Sequence, residues 1–228
     1  MSMPKLKPEE VEHRRQEIID AARICFLRSG FHQTTTDEIC HEASITPGGL
    51  YHYFGSKEEI ISAVIKDAAR SGLERLTLMT ESAGDVRSAF REVASFVFET
   101  MRDPNVDNVT RFDIETWAET LRNEKLAAVT KETWGLRQHW LESLITRGKQ
   151  EGMYGSEVDP KAFADLLLAI MVGLRLGKLL WRDNFDLEGA VHSLFLMHAG
   201  HLTNGEINLG LPQEETQAGG RAKVRKTA

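Results

Sequence analysis

No run of apolar residues in this chain is long enough to cross a bilayer, which takes about 20. The best candidate, LLLAIMVGL at 166–174, stops well short. The opening residues MSMPKLKPEE carry no apolar segment of the kind that directs export, so a cytoplasmic location and no membrane partner are expected. Cysteine is scarce: Cys25 and Cys40 are the only two, and both fall on apolar faces of expected helices, where buried free thiols are the default reading. There is no phosphate-cradling loop, no nucleophile with an adjacent base and no pair of carboxylates, so no catalytic residue and no cofactor are expected. His192, His198 and His201 lie near one another without a cysteine or carboxylate cluster at zinc spacing, and no metal site is expected. Positive charge is also in deficit, with 28 Lys and Arg against 34 Asp and Glu. Any contact with nucleic acid must therefore rest on a local patch, for which Lys5, Lys7, Arg14, Arg15 and Lys57 are the candidates.

What the chain does have is dense helix punctuation between Thr34 and Ile60. Thr35 followed by Glu38 makes a capping box, so a helix opens near Thr36 and runs through Ile39, Cys40 and Ala43. Ser44 to Thr46 break it. Thr46 is a good N-cap and Pro47 suits the first helical position, so a second helix begins there, with Leu50 inward and Tyr51, His52 and Tyr53 forming an aromatic, hydrogen-bonding surface. Ser56 with Glu59 makes another capping box, opening a longer helix whose apolar side holds Ile60, Ile61, Val64 and Ile65. A middle helix too short to stand alone makes sense when it is held out for insertion, and the major groove of DNA admits such a helix. Gly48 and Gly49 allow close approach, while Tyr51, His52 and Lys57 can donate to phosphate oxygens.

The segment from about Arg14 to Val64 resembles the DNA-binding domain of the TetR family of transcriptional regulators. The resemblance is carried by RRQEIIDAARICFLRSGF, by the TTT-x-E-I opening, by LYHYF and by G-S-K-E-E. It implies DNA contacts from Thr36, Thr46, Pro47, Gly48, Gly49, Tyr51, His52, Tyr53 and Lys57. Relatives often carry Lys and a Thr or Ser where this chain has Pro47 and Gly49, so specificity is expected to lean on Thr46, Tyr51, His52 and DNA shape.

With 228 residues, the chain can bury a second, larger core. From Ile60 to about Thr203 the periodicity is helical without a convincing strand, broken at Gly84-Asp85, Asp103-Pro104, Gly152 to Gly155, Asp159-Pro160 and Asp183 to Asp186, giving about five further helices. Val86, Phe90, Val93, Val97 and Met101 stripe one; Val109, Phe112, Trp117 and Leu121 another; Leu126, Val129, Leu136, Trp140, Leu144 and Ile145 a third. The helix opened by Asp159-Pro160 is apolar all round, as expected of one buried by its own chain and by a partner copy. Gly173 and Gly177 would leave a shallow groove for another helix, and the last helix, Leu187 to Leu202, supplies Val191, Leu194, Phe195 and His198. These two helices resemble the pair that joins TetR dimers.

The resulting expectation is an all-α chain in three parts: a helix-turn-helix DNA-binding domain at 1–58, a larger helical ligand-binding and dimerisation domain at 59–204, and a disordered tail at 205–228 with a basic end. The resemblance implies a homodimeric repressor on a palindromic operator, released by an unidentified small molecule. Candidate pocket residues are Met101, Phe112, Trp117, Trp134, Trp140 and Arg175, with Arg111, Glu115 and His139 as further polar anchors. The rival readings are a helical protein-protein adaptor and an all-α enzyme without a recognisable catalytic motif.

Overall fold

The computed structural model describes residues 7–198. Lys5, His201 and the basic tail lie outside the described residues. Among the described residues every regular element is helical: α1 Pro8–Gln33, α2 Thr36–Glu42, α3 Pro47–Tyr53, α4 Lys57–Ser82, α5 Val86–Arg102, α6 Val106–Thr120, α7 Glu124–Gln150, α8 Pro160–Trp181 and α9 Leu187–His198, with a single 3-10 turn at Arg182–Asn184. The all-α expectation holds, and α5 to α9 are the five further helices. The chain through Leu187 forms one compact unit, and Glu188 onward belongs to a second.

Helix starts follow the side chains that cap them. Thr35 Oγ1 accepts from Glu38 N at 3.2 Å while Thr35 N donates to Glu38 Oε2 at 2.7 Å. Asp85, Asn123 and Asp159 open α5, α7 and α8 by accepting from the first-turn amides of Ser88, Leu126 and Ala162. At α4 the expected box is altered. Ser56 Oγ accepts from Glu59 N at 3.3 Å, but Glu59 reaches past Ser56 to the Gly55 amide at 2.7 Å.

The first four helices share one apolar cluster. Ile18, Ala22, Ile39, Leu50 and Val64 are fully buried in it, with Cys25, Cys40, Phe54 and Ile60 nearly so. Both cysteines are thus buried and free. Phe112 of α6 and Leu126 of α7 complete this cluster from the body, so Phe112 is core against Phe31, their rings edge to face at 4.8 Å. Two polar links add direction to that apolar contact. Gly30 breaks α1 with φ 78, and Glu115 of α6 accepts from the Phe31 amide at 2.5 Å. His32 and Glu119 lie 3.1 Å apart. The Gly30 position is closed to other residues by its positive φ and by the Glu115 carboxylate, which a Cβ would strike. On α4, buried Asp67 accepts from Gln16, Arg23 and Arg70, tying α4 to α1.

A second apolar cluster joins α5, α7 and α8 around Val86, Ala89, Leu144, Ile145 and Ala164, with Trp140 and Tyr154 against it. Burial pushes the Tyr154 phenol well above its ordinary value.

Two of the expected stripes are corrected. Val109 of α6 and Leu121, just past its end, are 40% and 87% exposed, and the buried face is Val106, Thr110, Phe112 and Thr116. Each buried threonine donates its hydroxyl to the carbonyl four residues back, at 2.8 and 2.9 Å, so it enters the interior without an unmet polar group. Leu136 of α7 is likewise 46% exposed while Thr133 is buried. Hydropathy alone reads threonine as outside, which misplaces the stripe.

Candidate nucleic-acid interface

The helix α3 is seven residues long, and Leu50 is its one buried residue. Thr46 caps it by accepting from Gly49 N at 3.2 Å, and Pro47 stands at its first position, where the missing N–H costs nothing. With Leu50 anchored in the head's core, Thr46, Pro47, Gly48, Tyr51 and His52 face outward, Tyr51 being 55% exposed. His52 stands edge-on to Tyr53 at 5.2 Å, and Tyr53 is half-buried against the core. Thr36 and Lys57, at the starts of α2 and α4, are half-exposed. Gly48 meets no other atom where a Cβ would stand, so it leaves the backbone bare at the tip.

The turn before α3 is held by local bonds. Ser44 adopts φ 53, and Ile45 N donates to the Cys40 carbonyl at 2.9 Å. Two of the basic residues expected in the local patch are engaged. Arg14 pairs with Glu17 at 2.6 Å, and the Arg15 guanidinium lies over the Phe54 ring at 4.9 Å. Arg28, which the sequence reading passed over, pairs with Glu42 at 3.4 Å and is exposed. The Thr35 amide holds the Glu38 carboxyl below its ordinary value, with Lys57 among the lesser contributors.

A short helix projected outward from a two-helix turn, anchored by one residue and capped at both flanks, is the geometry of a groove reader. The sequence agrees with known proteins in the same places. The model of "Bacterial regulatory proteins, tetR family" matches residues 18–64, and that of "BetI-type transcriptional repressor, C-terminal" matches residues 86–197. The chain belongs to the TetR family. It is a helix-turn-helix transcriptional regulator.

Among TetR-family relatives, the regulator UidR of Escherichia coli strain K12 is 27% identical over 165 residues, covering 72% of this chain and 81% of UidR. TtgR of Pseudomonas putida is 26% identical over 197 residues, covering 83% of this chain and 91% of TtgR. Salmonella enterica GusR superposes with a TM-score of 0.64 at 26% identity, covering 87% of this chain and 98% of GusR.

The residues expected to line a pocket are not all brought together. Phe112 and Trp140 belong to the two apolar clusters, and Met101 is 2% exposed. Glu115 is engaged by the Phe31 amide and His139 is exposed beside Glu142, so neither serves as an inward anchor. Arg111 also faces outward. Trp117, Trp134 and Arg175 remain half-buried and outside both clusters. Arg175 pairs with Asp113 at 2.6 Å, and Lys178 donates to the Met101 carbonyl at 2.7 Å.

At the expected dimer face the glycine pair divides. Gly173 faces open space, but a Cβ on Gly177 would meet the Phe185 ring at 2.5 Å, so the chain's own phenylalanine fills that half of the groove. Apolar exposure on α8 lies instead at Leu166, Leu180 and Trp181, 53%, 60% and 58% exposed. On α9, Leu194 is half-buried, and Phe195 and His198 are exposed while Val191 is buried.

Proposed function

We propose that the protein acts in the cytoplasm as a homodimeric repressor that occupies a palindromic operator and leaves it when a small molecule binds the helical body. The observation that carries this reading is the outward surface of α3, where Thr46, Pro47, Gly48, Tyr51 and His52 stand clear while Leu50 is held inside. Thr36 and Lys57 flank that surface and serve the phosphates, with Gly49 and Tyr53 setting its backbone and its edge. Residues 1–58 are the reading head, 59–204 the ligand-binding and dimerisation body, and 205–228 a tail.

Dimerisation is supported by the apolar side chains that α8 leaves exposed, Leu166, Leu180 and Trp181. Two heads spaced about 34 Å apart would read half-sites one turn of DNA apart. Repression is supported by the match of the body to the C-terminal part of BetI-type repressors. Occlusion of a promoter by a bound dimer requires no further surface. The effector acts by binding one head spacing more tightly than the other, and that difference in affinity is the switch. Trp117, Trp134 and Arg175 are the residues through which we expect it to be felt, together with Met101.

The test is capture of host genomic fragments by the purified full-length protein, followed by sequencing of what stays bound. A few enriched palindromes are expected. Against those sites Lys57→Ala should weaken binding and reduce the slope of log affinity against log salt by about 1, for a lost ionic phosphate contact. Tyr51→Ala should weaken binding with a smaller change of slope, since it carries no charge. Enrichment that persists unchanged in both variants would place the DNA-reading surface elsewhere.

A further inference from the structure

Between Arg28 and Lys57 the chain has neither lysine nor arginine, and from Thr34 to Ser56 it has no asparagine or glutamine either. That stretch includes the whole outward surface of α3. The composition decides which bases the surface can tell apart. Guanine is read through paired acceptors that suit a guanidinium or ammonium group, and adenine through a donor and an acceptor that suit a carboxamide. Neither kind of side chain stands on α3. A recognition helix meets base edges with the residues at its start, which here are Thr46, Pro47 and Gly48, all exposed. Thr46 commits its hydroxyl oxygen to the Gly49 amide at 3.2 Å, leaving its methyl group unengaged. Pro47 presents a ring of carbon atoms and has no amide hydrogen to offer. Gly48 adds no side chain, and a Cβ there would meet nothing within 4 Å. The tip is therefore apolar, and the hydrogen-bonding groups of Tyr51 and His52 stand about a turn further along.

We propose that the start of α3 reads thymine, through contact of the Pro47 ring and the Thr46 methyl with the 5-methyl group in the major groove. The inference rests on the reading of the chain as an operator-binding regulator and names the base that the operator must present there. Thymine alone of the four bases projects an apolar group into the major groove, and apolar side chains are what recognises it. A guanine oxygen or a cytosine amino group pressed against proline would lose its water and gain no partner, at a net cost. The bare backbone at Gly48 lets the ring come down to the base edges without a neighbouring side chain in the way.

The experiment uses duplexes carrying the palindromes recovered by genomic capture with the full-length protein. Each thymine of a half-site is replaced in turn by deoxyuridine, which lacks only the methyl group. At least one replacement per half-site should weaken binding about fourfold, the scale of one buried methyl-sized group. At that position a pair of 5-methylcytosine with guanine should bind better than one of plain cytosine with guanine, because it restores the methyl without the thymine. Pro47→Ala should bring the ratio of thymine to deoxyuridine affinity below about twofold, while Pro47→Val, which keeps a branched apolar side chain, should retain it. Each ratio is taken within one variant, so a general loss of affinity or stability cancels. Indifference to deoxyuridine at every thymine, or an undiminished ratio in Pro47→Ala, would overturn the assignment and leave the regulator reading intact. Recovery of no palindrome at all would instead overturn the regulator reading, and this inference with it.

Discussion

Between Pro8 and Ser56 the helices touch mainly through apolar side chains, with Ile18, Ala22, Ile39 and Leu50 wholly excluded from solvent. In the middle of the body α6, α7 and α8 meet through Arg175, Asp113, Lys178, Asp107 and, from α7 to α8, Gln138 with Asp165. An apolar interior holds one arrangement, because any shift opens a void. Half-exposed charged bridges exchange partners with water or a ligand at little cost. The body keeps an apolar cluster of its own around Val86, Leu144 and Ile145, so the contrast with the head lies at the charged contact of α6 with α8 rather than throughout the body.

The sharpest way to break that comparison is to damage both regions and compare the losses. Leu50→Ala empties a fully buried site at the only inward position of α3, and should cost about 2–5 kcal/mol with a clear fall in melting temperature. Arg175→Met removes a bridge whose two side chains are 21% and 27% exposed, and should cost no more than about 1 kcal/mol. Thermal unfolding of the two variants decides it, and comparable losses would mean that the body is as rigidly built as the head.

A smaller effect is expected where the regions join. Gly30→Ala forces φ 78 on a residue with a Cβ and drives that atom into the Glu115 carboxylate, at a cost of about 1–3 kcal/mol. Glu115→Ala makes room but strands the Phe31 amide, itself a loss of about 1–3 kcal/mol. Because one carboxylate is responsible for both effects, the double variant should lose less than the two single losses added. Additive losses, measured by chemical denaturation, would show that α6 and the end of α1 are not coupled through this contact.

The head was far more legible in the sequence than the body, and the physical reason is range. Thr35 with Glu38, Thr46 with Pro47, and Ser56 act within one helix turn, so residue type and spacing suffice to place α2, α3 and the start of α4. The links across the body join residues far apart in sequence: Phe31 to Glu115, Asp113 to Arg175, Gly177 to Phe185. Local pattern carries no sign of them. The groove imagined at Gly177 failed for that reason, since the ring filling it arrives from beyond the end of α8. Asp67 was within reach, because a carboxylate on the apolar face three residues after Val64 requires buried partners, and Arg23 and Gln16 supply them. Thr110 and Thr116 were not, since their burial depends on a hydroxyl bond that leaves no mark on hydropathy.

The smallest expected effect tests whether head and body differ at all where only local forces act. Glu38 in the head and Asp85 in the body both cap helices, and both have carboxyl pKa values lowered chiefly by backbone amides, those of Thr35 and of Ser88. A lowered folded value means that the charged form is preferred in the fold. Its contribution is therefore complete above the ordinary values of 4.5 and 3.8 and is lost as pH falls through the lowered ones. Glu38→Gln and Asp85→Asn keep an acceptor oxygen and remove the titration. Each should leave the melting temperature near neutral pH almost unchanged and reduce its decline in acid, followed by circular dichroism from neutral pH down to about 3, below both ordinary carboxyl values. Similar flattening in the two variants would show that capping is indifferent to what each helix packs against, so that the contrast between reader and body arises from long-range contacts alone. A response confined to Glu38 would mean instead that the head's caps are coupled to its dense core, and that even the local signals read from the sequence depend on the packing around them.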